Sequence, residues 1–179
     1  MPVTPFHLGP ALVIKVAGPQ WFSLGVFTAV QIAIDLEPVW NGLAGNYPLH
    51  GPLHTLPGSL LLAIAAIIPA KYGLSGLYKA MRQRHATSDN TLRWLLTELN
   101  PIPWKAAIIG GLGGGVSHVI LDAIIHWDVT PFVPFSRTNP LFLPGSFAWV
   151  HVLCGIIGGC GLLLWLARAK RRESRSSYL

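Results

Sequence analysis

Of the 179 residues, 51% are hydrophobic and only 11% are charged, with a mean hydropathy of +0.49. A soluble domain carries about 25% charged residues, so this composition excludes one and predicts a polytopic membrane protein. The net charge of +6 gathers at the ends of apolar segments, which reads as topology and contact with anionic lipid; a nucleic-acid patch is the poorer explanation.

Five apolar segments follow in chain order. The first, 6–17, is short for a span and is expected to be a half-span or re-entrant helix. Gly18-Pro19-Gln20 turns the chain into the second, 21–36, which closes on Asp35-Leu36-Glu37-Pro38. The third, 56–78, follows His50-Gly51-Pro52-Leu53-His54, with Thr55 as its cap and a kink expected at Pro69. The fourth, 104–127, and the fifth, 147–167, have the roughly 20 apolar residues that a full crossing needs. In the linker 79–103, Asp89-Asn90-Thr91 precedes leucines at 92, 95, 96 and 99, a pattern that predicts a short interfacial helix. The loop 128–144 holds four prolines with Phe132, Phe135 and Phe142; it reads equally as a lid into the headgroups or a stiff connector. The expected fold is all-α: one membrane domain over 1–179, a bundle of about five membrane helices plus the interfacial one.

Basic residues orient this bundle. Lys71, Lys79, Arg82, Arg84, Arg93 and Lys105 lie between segments three and four, a second group from Arg168 to Arg175 follows segment five, and Lys15 sits near the first turn. The positive-inside rule then places the N-terminus outside and the C-terminus in the cytoplasm.

That topology gathers the unusual polar residues at one level. His7, Asp35, Glu37, His50, His54, His118, Asp122, His126, Asp128 and His151 all come to the outer side, and His85 stays in the basic linker. Ionisable groups at such depth are costly and mark functional sites, and imidazole with carboxylate is a zinc ligand set. His118, Asp122 and His126 recur at i, i+4 and i+8, so they share a helix face; the two histidines, about 12 Å apart along the axis, cannot hold one ion between them. Gly110, Gly111, Gly113, Gly114 and Gly115, with Gly155 and Gly159, predict close approach of segments four and five, bringing His118 near His151. The blander alternative is a set of hydrogen-bonding residues at helix ends.

Four stretches carry a family resemblance: Thr4-Pro5-Phe6-His7-Leu8-Gly9-Pro10, Asp35-Leu36-Glu37-Pro38, Tyr47-Pro48-Leu49-His50 through His54-Thr55, and Ser117-His118-Val119-Ile120-Leu121-Asp122-Ala123. Over 1 to about 143 the chain resembles the bacterial and archaeal membrane-bound metal-dependent hydrolases. It departs from the commoner pattern in having Asp-Leu-Glu-Pro where Pro-Asp-x-Asp is usual, and His50 and His54 four apart where five is usual with an Arg after the first His. These departures place it on a different sub-branch. The resemblance implies a divalent metal, zinc first, in a multi-pass protein of a prokaryotic cytoplasmic membrane. His118 and Asp122 would be its leading ligands, then Asp35 and His54, then His7 and His50. The ion would lower the pKa of a bound water to about 7, with Glu37 as general base and His126 as second choice. A lipid or lipid-linked phosphate or ester would enter from the outer leaflet. Two readings of other classes stay open: a proton-coupled transporter, and a non-catalytic membrane subunit binding haem between His118 and His151.

Overall fold

The computed structural model describes residues 5–84 and 101–176, and these form helices and turns with no strand among them. A 3-10 turn at Pro5–Leu8 leads into α1 (Gly9–Ala17) and α2 (Leu24–Ala44); a second, at Pro52–His54, precedes α3 (Leu56–Arg84), then α4 (Trp104–Ile125) and α5 (Ser146–Ser176). The protein is thus an all-helical bundle. Stretches of three helices are long and apolar enough to cross a membrane, Leu56–Met81, Trp104–Ile125 and Ser146–Arg168, and they mark it as a membrane protein. Leu61, Ile64 and Ile68 on α3, and Val152, Ile156 and Leu163 on α5, stand exposed. Such uncovered apolar faces are what a hydrocarbon solvent permits. Of the three, α4 is the most enclosed.

Several boundaries differ from the sequence expectation. α2 does not close at Pro38: it carries that proline internally and ends at Gly45, whose left-handed φ of 69° lets its N–H reach Asn41 O and Gly42 O. Asp35 and Glu37 therefore lie inside a helix. Two residues apart is about 200° around the axis, so their side chains leave on nearly opposite faces. α4 stops at Ile125, two residues early, and His126 adopts extended backbone (φ −119°, ψ 122°). That removes it from the face shared by His118 and Asp122. Thr55 does cap α3, its Oγ1 accepting the N–H of Gly58 at 3.0 Å. The interfacial helix expected near 89–99, and His85, lie outside the described residues.

Glycines decide which helices meet. A Cβ on Gly110 would lie 2.4 Å from Ser23 O, one on Gly114 2.9 Å from Phe27 O, and one on Gly115 3.0 Å from Ser59 O. The glycine stripe of α4 is broad enough to serve two partners, α2 running parallel to it and α3 antiparallel. The expected pairing of segments four and five through these glycines is replaced. α5 instead packs its small residues on α1: a Cβ on Gly158 would lie 2.9 Å from Gly9 Cα, and one on Gly9 2.0 Å from Cys154 O.

The two ends of the bundle differ in chemistry. At one, Lys15 is buried and its Nζ donates to Pro19 O (2.7 Å) and Phe22 O (3.3 Å), Lys105 sits 3.8 Å over the Trp21 ring, and Arg168 donates to Val16 O. At the other, the turn at Pro5–Leu8, the 45–55 connection and the loop after α4 meet. Leu56 N–H donates to Pro131 O at 2.9 Å, and Asn139 Nδ2 donates to Ala123 O and His126 O at 2.8 and 3.1 Å. The 128–144 loop is thus pinned. Of its three aromatics Phe135 stands out, 91% exposed, while Phe132 and Phe142 are half-buried.

Candidate metal centre

Three elements deliver one cluster. α4 contributes His118 and Asp122 from a single face, α2 contributes Asp35, and the 3-10 turn Pro52–His54 contributes His54. All four are buried, and each offers a donor atom within 4.8 Å of every other. His118 Nε2 lies 3.2 Å from Asp122 Oδ2 and 3.5 Å from Asp35 Oδ1. His54 Nε2 lies 3.3 Å from Asp122 Oδ2. His7, from the turn Pro5–Leu8, brings Nε2 to 3.5 Å from Asp122 Oδ1, at the edge of the group.

These contacts have the spacing of ligands around a shared centre. Two donors about 2.1 Å from a tetrahedral ion stand about 3.4 Å apart, which the 3.2–3.5 Å separations match. Nor do they satisfy these imidazoles as hydrogen bonds: both ring nitrogens of His7 and of His118, and Nε2 of His54, have no hydrogen-bond partner although fully buried. Buried polar atoms without partners are rare and ask for an explanation such as an ion. The residues present therefore fit a divalent metal, and this group can hold one.

Glu37 stands one layer back. Its Oε2 lies 2.9 Å from His54 Nδ1 and accepts the Gly51 N–H at 2.9 Å, while Oε1 accepts the Leu53 N–H at 3.0 Å. One carboxylate thus sets the backbone of the turn and the ring it carries, in the carboxylate–histidine arrangement that orients metal ligands. Burial opposes a charge on His54, yet the Asp122 carboxylate 3.3 Å from Nε2 and the Glu37 carboxylate 2.9 Å from Nδ1 outweigh that and raise its pKa to about 9.

The remaining predicted residues form a second group. His50 and His126 pack with ring centroids 4.5 Å apart, and Asp128 Oδ2 lies 2.9 Å from His50 Nδ1. Asp128, on the outer side but outside the ligand set that the resemblance implies, joins them; its place two residues after His126, at a helix end, is the signal in the sequence. Burial alone would raise the Asp128 carboxyl, but the His50 hydrogen bond and charge draw it below its usual range. His151 belongs to neither group: its Nδ1 pairs with Phe147 O one turn back. Both His118 and His151 pack against the ring of His7, at 5.2 and 6.4 Å. The direct approach of these two histidines is replaced by an intervening imidazole, because α1 and not α4 is the close neighbour of α5.

Beside the second group is a cavity of about 460 Å³ whose walls include Val39, Leu43, Leu49 and Trp127, with His50, His126 and Asp128 at its polar side. Comparison with known protein families, curated proteins and solved structures finds no match for this chain.

Proposed function

We propose that this protein is a membrane-embedded metal-dependent hydrolase acting on a lipid or lipid-linked phosphate or ester. The observation that carries the reading is the buried convergence of Asp35, His54, His118 and Asp122, with partnerless ring nitrogens facing carboxylate oxygens at metal-ligand spacing. Two imidazoles and two carboxylates suit zinc first among divalent ions. A divalent ion bound at this end of the bundle would polarise a phosphoryl or acyl oxygen and activate water for attack.

The chain's own residues do the rest. Glu37 holds the His54 ring and its turn in place, so the proposed general base acts first as a positioning residue. His7 closes the flank of Asp122. The cavity takes hydrocarbon against Val39, Leu43 and Leu49 and presents the headgroup to the histidines. With the basic end toward the cytoplasm, this mouth opens to the outer leaflet of a prokaryotic cytoplasmic membrane, with the N-terminus outside and the C-terminus inside.

Detergent-purified protein is expected to contain zinc by elemental analysis and to hydrolyse members of a panel of phosphate- and ester-containing lipids. A chelator should abolish turnover, and zinc should restore it. A metal-replete protein inert across that panel would favour the proton-coupled reading, for which one observation speaks. The rings of His126, His50, His54, His118 and His7 pack in series, 4.5 to 5.3 Å between centroids, and a run of imidazoles with carboxylates among them supplies the groups that a proton relay uses.

A further inference from the structure

We propose that His50, His126 and Asp128 form a second divalent-cation site, and that this is the ion that faces substrate. Each of the three offers a donor atom within 4.8 Å of the other two. Both side chains of the His50–Asp128 pair are 7% exposed, so the donors are withdrawn from bulk water although the residues belong to connecting loops. Asp128 Oδ2 stands 2.9 Å from His50 Nδ1 and accepts the His50 backbone N–H at 3.4 Å. A proton shared on that side leaves Nε2 as the lone-pair nitrogen, and a carboxylate with four lone-pair positions keeps capacity for an ion. His126 faces His50 with the ring planes 34° apart, an arrangement that joins two neutral imidazoles and would set two imidazolium ions against each other.

The number of donors separates the two sites. Four protein donors close a coordination sphere, as in structural metal sites; three leave a position open, as in catalytic ones. The four-donor group is wholly buried, whereas the three-donor group lines the cavity of about 460 Å³. The inner ion then holds α2, α4 and the 50–55 turn together, and the outer one meets a headgroup oxygen. His50 and His54 pack at 4.7 Å between ring centroids, so the inner site supports the outer through neighbouring side chains of one turn. The substrate-facing role rests on the hydrolase reading above; occupancy by an ion does not.

The test is ion stoichiometry on the full chain in detergent, stripped with chelator and titrated with zinc or, for its visible spectrum, cobalt. Wild type is expected to take up about two ions per chain, and His126→Ala about one. His118→Ala should lose the inner ion and keep an outer one with an altered spectrum. One ion in wild type, lost in His118→Ala and kept in His126→Ala, would overturn the second site and leave the hydrolase reading standing. No ion at all removes both. Should His126→Ala lose both ions through misfolding, Asp128→Asn, nearly the same shape, decides: retention of one ion supports the site, retention of two or none overturns it.

Discussion

At the scale of single residues, the four inner donors and their one supporting carboxylate make separable predictions. His118→Ala and Asp122→Ala should each lose the inner ion, because each removes one of its four donors, whereas His151→Ala, outside the cluster, should retain it; elemental analysis of the three variants checks this. Glu37→Gln bears on positioning against base catalysis. An amide cannot accept from Leu53, Gly51 and His54 at once, since one of its two heads is a donor. Metal affinity should therefore fall about 10- to 100-fold, the usual cost of losing such an orienting partner, and excess zinc should restore turnover. A metal-saturated variant still slowed by about 10²–10⁴ would instead return Glu37 to the role of general base. The proton on His54 adds a pH dependence. Its folded pKa of about 9 is raised above 6.5, so protonation stabilises the metal-free fold fully below pH 6.5, and that contribution is lost as pH rises through about 9. An ion taking Nε2 must displace this proton. Zinc affinity measured by competition should then rise about tenfold per pH unit between roughly 7 and 9. A flat profile would remove His54 from the ligands.

At the scale of elements, the position of the site depends on how closely α4 can lie against α2. Alanine in a helix interior is favoured over glycine by about 1 kcal/mol, but overpacking costs about 1–3 kcal/mol. At Gly110 the added methyl would meet the Ser23 carbonyl at 2.4 Å, and Ser23 N–H is itself bonded to Ala106 O at 3.0 Å. The backbone there has nowhere to move. At Gly113 the nearest atom is on the Phe22 ring at 4.0 Å. Gly110→Ala should therefore lower the melting temperature in detergent and loosen the inner ion, while Gly113→Ala should leave it unchanged or raise it. Equal effects at both positions would mean that α2 and α4 are not held by backbone contact.

At the scale of the whole molecule, the bundle is polarised. Lys15, Lys105 and Arg168 tie helix ends together at one extremity, and the imidazole–carboxylate groups occupy the other. Under the positive-inside rule, cysteines placed at Asn46 and Thr138 should be labelled by an impermeant reagent in intact cells, and one at Thr87 only after the membrane is opened. Labelling of a cysteine at position 87 from outside would invert the bundle and turn the mouth of the cavity to the cytoplasm.

The membrane bundle and the chemical type of its site could be read from the linear sequence. Long apolar runs report their solvent directly, since every backbone polar group in hydrocarbon must be satisfied within a helix, and histidines and acids in such runs are too costly to be incidental. The pairing of His118 with Asp122 followed from a local rule, four residues along one helix. What only the tertiary structure decided was every contact between segments. The place of Glu37 behind His54 required the turn at 51–54 to fold back against α2, where its carboxylate meets Gly51, Leu53 and His54. The division of the histidines into two groups required α4 to end at Ile125, freeing His126 to turn toward His50 and Asp128. The choice of α1 as the partner of α5 came from glycines on both helices that fit one another. A periodic pattern shows which face of a helix is bare, but not which of several bare faces will meet it, because that depends on packing volumes summed over residues far apart in the chain.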